Sequence, residues 1–365
     1  MILELHGDAC RLGYLKLAAC ILEDGSPRSP DYLASVMLET CKSLEEDVER
    51  SLPGLMRSEV NARNYVKLAN DLGFYNRKTS RLGRFGAAYA CLDSSETVKK
   101  HVSGERRLSL SQLLSLSPVE KMLFLQAILT MDYYMMVLLV KWLFKTREFT
   151  RQNAMQAVME EIYPEALQRL SRRLSDRDRH SLAKELEEAS RFRERRESYS
   201  SKVEWIRSRQ YAKYRHTVPP RLEWLADVGL LERTHRGRYA VSPEGLRLFR
   251  DLELVVSRPR ERVEEEFFKY VVLGVERLKA PAQSTEAQAM TSVYSSLNKM
   301  MGRVELDLLC LASAYKLVER GFKSSPSSMM RVFSYLSLLY PDRVFATYSD
   351  DGSAEVSGLD ISLIE

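Results

Sequence analysis

The sequence predicts a mainly α-helical protein in which small β-hairpins punctuate groups of helices and a long helical arm is inserted. Three observations carry this expectation. Apolar residues recur at three- and four-residue spacing, as in ERVEEEFFKYVVLGVERL, residues 261–278, where Val263, Phe267, Val271, Val275 and Leu278 share one face. Strand-like stretches are few and short, and each flanks a polar or glycine-containing turn: FYNRKTSRLG at 74–83, LLERTHRGRYAV at 230–241, and RVFATYSDDGSAEVSG at 343–358. Between 165 and 215, Leu167, Leu170, Leu174, Leu182 and Leu186 keep helical spacing through a segment with 15 Lys and Arg against 9 Asp and Glu.

Composition bounds the possibilities. A chain of 365 residues, 45% apolar and 29% charged, is globular and long enough for two or three domains. Its net charge of +5 does not demand an anionic partner, so the distribution of charge matters more than the total. The five cysteines form no Cys-x-x-Cys pair and read as buried thiols of a reducing cytoplasm. The five histidines are dispersed, so no metal site and no cofactor are expected. The start, MILELHGDACRLGYL, lacks the basic region and long apolar run of a secretory signal.

Taken in order, residues 1–105 form a first module, in which 64–90, NYVKLANDLGFYNRKTSRLGRFGAAYA, run helix, Leu-Gly-aromatic turn, basic loop and second helix. Residues 106–252 form a second. Its most apolar stretch, 122–144, is interrupted by Gln126, Asp132 and Lys141, which predicts two core helices meeting near 130–132 rather than a membrane span. The charged arm at 165–215 is inserted into this module. Residues 221–249, RLEWLADVGLLERTHRGRYAVSPEGLRLF, then repeat the earlier order: helix, Val-Gly-Leu turn, basic hairpin, helix after Ser242. A connecting helix is expected at 253–282. A third module at 283–365 contains a looser copy of the pattern, with Asp350, Asp351 and Gly352 at its turn.

The repeated skeleton is Leu-Ala followed closely by Leu or Val, Gly and an apolar residue, then a basic loop and a helix start containing Gly. In this the chain resembles a tandem array of winged helix-turn-helix modules. The resemblance implies that a helix before each hairpin enters the DNA major groove and that the hairpin, the wing, lies along phosphates. On the first helix Val60, Tyr65, Leu68 and Leu72 are expected to face the core, leaving Arg63, Asn64 and Lys67 for base edges or phosphates. The first wing offers Arg77, Lys78, Arg81 and Arg84, and the second Arg233, His235, Arg236 and Arg238. Before the second wing, Thr217 is expected to cap a helix with Pro219 or Pro220 in its first turn, placing Arg215, His216 and Arg221 at an exposed end. Within the arm, Tyr199, Trp205, Tyr211 and Tyr214 alternate with Arg207, Arg209 and Lys213, a pattern that suits either base stacking or a charged coiled arm with an aromatic core.

Phosphate-binding, dinucleotide-binding, nucleophile-elbow and zincin motifs are all missing from the sequence, so no enzyme activity is expected. The reading is a non-catalytic double-stranded DNA binder, similar to prokaryotic transcription regulators or to the target-recognition parts of defence systems. Its expected location is cytoplasmic and associated with the nucleoid. A winged-helix scaffold subunit gripping proteins is the alternative. The acidic third hairpin suits a protein partner or a second copy better than DNA.

Overall fold

The computed structural model describes residues 2–3, 9–49, 52–274, 277–350 and 352–359, apart from the side chains of residues 176, 177, 181, 210 and 213. The fold is mainly helical, with 64% helix and 9% strand, and its strands form three small antiparallel sheets. β1 (Tyr75–Asn76) pairs with β2 (Arg81–Leu82). β3 (Glu148–Thr150), β4 (Leu231–His235) and β5 (Arg238–Val241) form a sheet in the order β3-β5-β4. β6 (Val344–Tyr348) pairs with β7 (Ala354–Leu359).

Local chemistry explains where helices start and stop. Ser-Pro dipeptides open the helices Pro30–Lys42, Pro118–Met131, Pro243–Val256 and Pro326–Leu339, each with the serine side chain accepting a backbone N–H in the first turn. Proline at the first helical position needs no donor there, and the serine satisfies one of the orphaned N–H groups. Three helices end alike. After Glu59–Asp71, Arg209–Asp227 and Leu306–Glu319, glycines 73, 229 and 321 take left-handed φ values of 72°, 83° and 83°. The next residue then donates back to the helix: Phe74 to Ala69, Leu230 to Leu225 and Phe322 to Leu317, at 2.7, 2.8 and 2.9 Å. These are Schellman caps, which a side chain at the left-handed position would strain.

The apolar stretch at 122–144 forms two helices, Pro118–Met131 and Tyr133–Thr146, bent by 116° at Asp132 and largely buried. Among the described residues no single helix is long and apolar enough to cross a membrane. The expected connecting helix is broken. Pro243–Val256 ends before Pro259, and a separate helix, Val263–Phe267, continues as a π-turn over Phe268–Val272. Proline lacks the N–H and disfavours helical backbone at the residue before it, which accounts for the break. Val275 lies outside the described residues. β3 is a strand the sequence reading missed, because three residues are too few to show alternation.

The apolar core is continuous through all three groups of helices. Phe74 of the first group stacks on Phe124 of the second, with ring centroids 4.7 Å apart. Lys316 Nζ of the third donates to the carbonyl of Cys91 (2.8 Å) and to Asp93 (2.9 Å) in the first.

Candidate nucleic-acid interface

The expected recognition helix of the second module is the helix Arg209–Asp227, and it begins earlier than the sequence suggests. Its cap is Ser208, whose side chain accepts from Tyr211 N, rather than Thr217, and Pro219 and Pro220 lie inside it. Tertiary packing overrides the helix-breaking tendency of this pair: Val218 through Leu225 are all buried. Arg215 is exposed, while His216 and Thr217 are half-buried.

Arg221 cannot serve a phosphate. It is fully buried, its Nε donating to Asp132 Oδ2 (2.6 Å), Nη1 to the Thr217 carbonyl (2.8 Å) and Nη2 to the Leu3 carbonyl (3.0 Å). Asp132 also accepts from Leu3 N (2.9 Å), so both charges are neutralised and hydrogen-bonded. One turn on, Trp224 donates its indole N–H to the Ala9 carbonyl (3.0 Å). Leu3 and Ala9 therefore cover this helix at Arg221 and Trp224, while Arg215 at its earlier turn stays exposed.

Glu223 and Asp227, four residues apart on that helix, hold two arginines. Arg11 donates to Glu223 (2.6 Å) and to Asp227 (2.7 Å), and Arg233 on β4 donates to Glu223 (2.6 Å) and lies 3.4 Å from Asp227. Tyr239 completes the set, its hydroxyl donating to Glu223 at 2.6 Å. Burial pushes the Glu223 carboxyl up, but the Arg233 hydrogen bond and the Arg11 charge outweigh it and hold the group below the usual range. Arg233 thus ties the hairpin to its own module, which corrects the expectation that it faces phosphate.

The tip of the β4–β5 hairpin is different. His235, Arg236 and Arg238 are exposed, and their side chains have no hydrogen-bond or ion-pair partner among the described residues. Gly237, with φ 71°, makes the turn, and its carbonyl accepts from Arg151 N at 2.7 Å. Arg238 sits opposite Thr150 of β3, which caps the helix starting at Arg151. Arg151 is exposed as well and is a neighbour the sequence reading did not name. Nothing local to its position marks it, because β3 joins the hairpin only through tertiary pairing.

In the first module the helix Glu59–Asp71 buries Ala62, Tyr65, Val66, Leu68 and Ala69. Leu72, the residue after it, is also buried, while Val60, expected in the core, is 65% exposed because it lies on the opposite side of the helix from Ala62 and Ala69. Arg63 and Lys67 are exposed and Asn64 half-buried. Arg63 lies 3.2 Å from Asp31 and 3.7 Å from Glu59, in solvent-exposed pairs of the kind worth about 0–1 kcal/mol. Arg77 and Lys78 are exposed at the β1–β2 turn with unpaired side chains among the described residues. Arg81 and Arg84 point elsewhere. Arg81 donates to the Met301 carbonyl (3.3 Å) and Arg84 to Glu264 (2.7 Å), joining modules rather than awaiting a ligand.

The aromatic residues of the arm pack on one another. Trp205 lies 5.1 Å from Phe192, 5.3 Å from Tyr199 and 5.9 Å from Tyr211, and Phe192 lies 4.9 Å from Tyr214. These rings form the arm's own core, although Tyr199 and Tyr211 are only partly buried. On the third hairpin Asp350 is exposed, and Asp351 lies outside the described residues. No family model, curated protein or solved structure matches the chain.

Proposed function

We propose that the protein is a non-catalytic double-stranded DNA binder of the winged helix-turn-helix kind, a transcription regulator or the target-recognition part of a prokaryotic DNA-processing or defence system. One observation carries the reading. Arg77 and Lys78 on one hairpin tip, and His235, Arg236 and Arg238 on another, stay unpaired among the described residues, while Arg81, Arg84, Arg221 and Arg233 are consumed by internal contacts. Unpaired cations on rigid turns suit phosphate contact. The second hairpin is braced by β3, so its tip is presented by a three-stranded sheet rather than by a marginal two-stranded ribbon.

The reading divides labour between modules. The helix Glu59–Asp71, with Arg63 and Lys67 exposed and Asn64 half-buried, is the groove element, because the corresponding helix of the second module buries Arg221 against Asp132 and Leu3. The test is a salt titration of affinity for duplex DNA. Neutralising His235, Arg236 and Arg238 together lowers the log–log slope by about 0.9 for each phosphate that the variant no longer neutralises. Substituting Arg63 and Asn64 changes the preferred sequence instead. An unchanged slope and affinity in the hairpin variant overturns the proposal.

A scaffold role is the second reading, favoured by one feature. Leu338 and Leu339 at the end of Pro326–Leu339 are 82% and 50% exposed, and Tyr348 on β6 is 75% exposed. Apolar side chains so placed are characteristic of protein-binding surfaces. DNA binding that survives Leu338→Asp and Tyr348→Ser leaves the first reading standing. Loss of self-association or of a co-purifying protein in those variants supports the second.

A further inference from the structure

A cavity of about 390 Å³ opens in the inserted arm, against the helix that starts beside the β4–β5 hairpin. Its walls have two chemistries. Phe192, Tyr199, Trp205 and Tyr211 contribute rings from the arm, and Met155 and Met159 contribute thioethers from residues 151–162. Rings and thioethers are well suited to hold a flat aromatic group, through offset or edge contacts and sulfur–ring contacts. The volume is within the range of small-ligand pockets.

The charged lining is of one sign. Arg196 and Lys202 line the cavity and no acidic side chain among the described residues does. Arg196 is held in place by Glu160, its Nη1 lying 2.5 Å from Oε1, while Arg193 takes Oε2 at 3.1 Å. Glu160 stands in a π-helical turn, Val158–Ile162, where the extra residue per turn re-aims side chains, a feature often met at functional sites. Fixing Arg196 through one nitrogen leaves its other N–H groups without a partner among the described residues. Lys202, exposed in the first turn of the helix Lys202–Arg207, likewise has no ion-pair partner there. Gln152 and Gln156 add neutral donors and acceptors to the lining, Gln156 Nε2 lying 3.4 Å from the Glu160 Oε1 that also holds Arg196.

We infer that this cavity binds a small planar aromatic anion, its ring between the arm's aromatic side chains and the two methionines, its carboxylate or phosphate on Arg196 and Lys202. The inference does not depend on whether the hairpins meet DNA. A nucleoside monophosphate and an aromatic carboxylate share this chemistry and are separated by the test.

The full-length protein is titrated with adenosine monophosphate, adenosine, indole-3-carboxylate and indole, following tryptophan fluorescence and heat of binding. Trp205→Phe serves as the blank for the fluorescence of the other two tryptophans. The expected result is saturable binding of one anionic probe, at least tenfold tighter than its uncharged partner, with Trp205 emission changed. Whichever anion binds identifies the source. Arg196→Gln and Lys202→Gln are each expected to weaken that binding about tenfold, with circular dichroism melting showing that the variants fold. Absence of binding by both anions at millimolar concentration overturns the inference. So does equal binding of charged and uncharged probes, or unchanged affinity in a folded Lys202→Gln variant.

Discussion

Arg221 and Arg236 lie fifteen positions apart in the sequence, and burial gives them opposite roles. Removing Arg221 leaves the Asp132 carboxylate buried with Leu3 N its one remaining donor among the described residues, so Arg221→Ala is expected to cost about 3–5 kcal/mol. Arg236→Ala, on an exposed tip, is expected to stay within about 0.5 kcal/mol, and denaturant midpoints measured side by side check both. Asp93 supplies a pH signature. The Arg320 hydrogen bond, aided by Lys316, holds its carboxyl down to about 2, against a usual 3.8. Its folded value is depressed, so its stabilisation is present above the unfolded value and fades as pH falls from about 4 towards 2. Asp93→Asn is expected to flatten that part of the stability profile, and acid-unfolding curves of the two proteins would reveal any failure. Sequence reading recognised arginines as a class but not their fates, because the carboxylates that claim Arg221 and Arg84 lie 89 and 180 positions away.

At the scale of elements, the repeated skeleton read from sequence has a physical counterpart. Gly73 and Gly229 end a helix in left-handed backbone, and the carbonyl of the next residue, Phe74 or Leu230, then packs on a glycine in the first turn of the following helix, Gly86 or Gly245. A Cβ at either glycine would fall well inside van der Waals contact with that carbonyl oxygen. Gly86→Ala and Gly245→Ala are therefore expected to destabilise by about 1–3 kcal/mol through overpacking, although alanine is the better helix former. Thermal melting of both variants checks this, and an increase in stability would show that the backbone yields freely. A third cap, at Gly321 and Phe322, lies ahead of the 343–358 hairpin and was not among the copies read from sequence.

The molecule as a whole is tied together by contacts that cross every expected boundary. Arg11 meets Glu223 and Asp227, Arg84 meets Glu264, and Glu319 accepts from the backbone N–H groups of Asp93 (2.6 Å) and Ser94 (2.8 Å). With one continuous core, the full chain is expected to unfold in a single cooperative transition by calorimetry. Residues 1–105 alone are expected to be insoluble, since Phe74 would be without Phe124 and Arg11 without its carboxylates. Two resolved transitions, or a soluble cooperative fragment, would show that the modules are autonomous.

The sequence by itself determined the helical class, the helix start behind Ser242, the meeting of two core helices near 130–132, the glycine turns at Gly73 and Gly229 and the positions of the β1–β2, β4–β5 and β6–β7 hairpins. Each rests on residues within a few positions of one another, where backbone sterics and side-chain capping act. Tertiary structure alone decided which cations are free, that β3 completes the second sheet, that the arm's aromatic residues surround a cavity, and that the second module's helix is covered near Ala9. Those outcomes depend on which distant groups come to share a buried space. Desolvation there penalises a charge or N–H left without a partner, and spacing along the chain does not say which partner it finds.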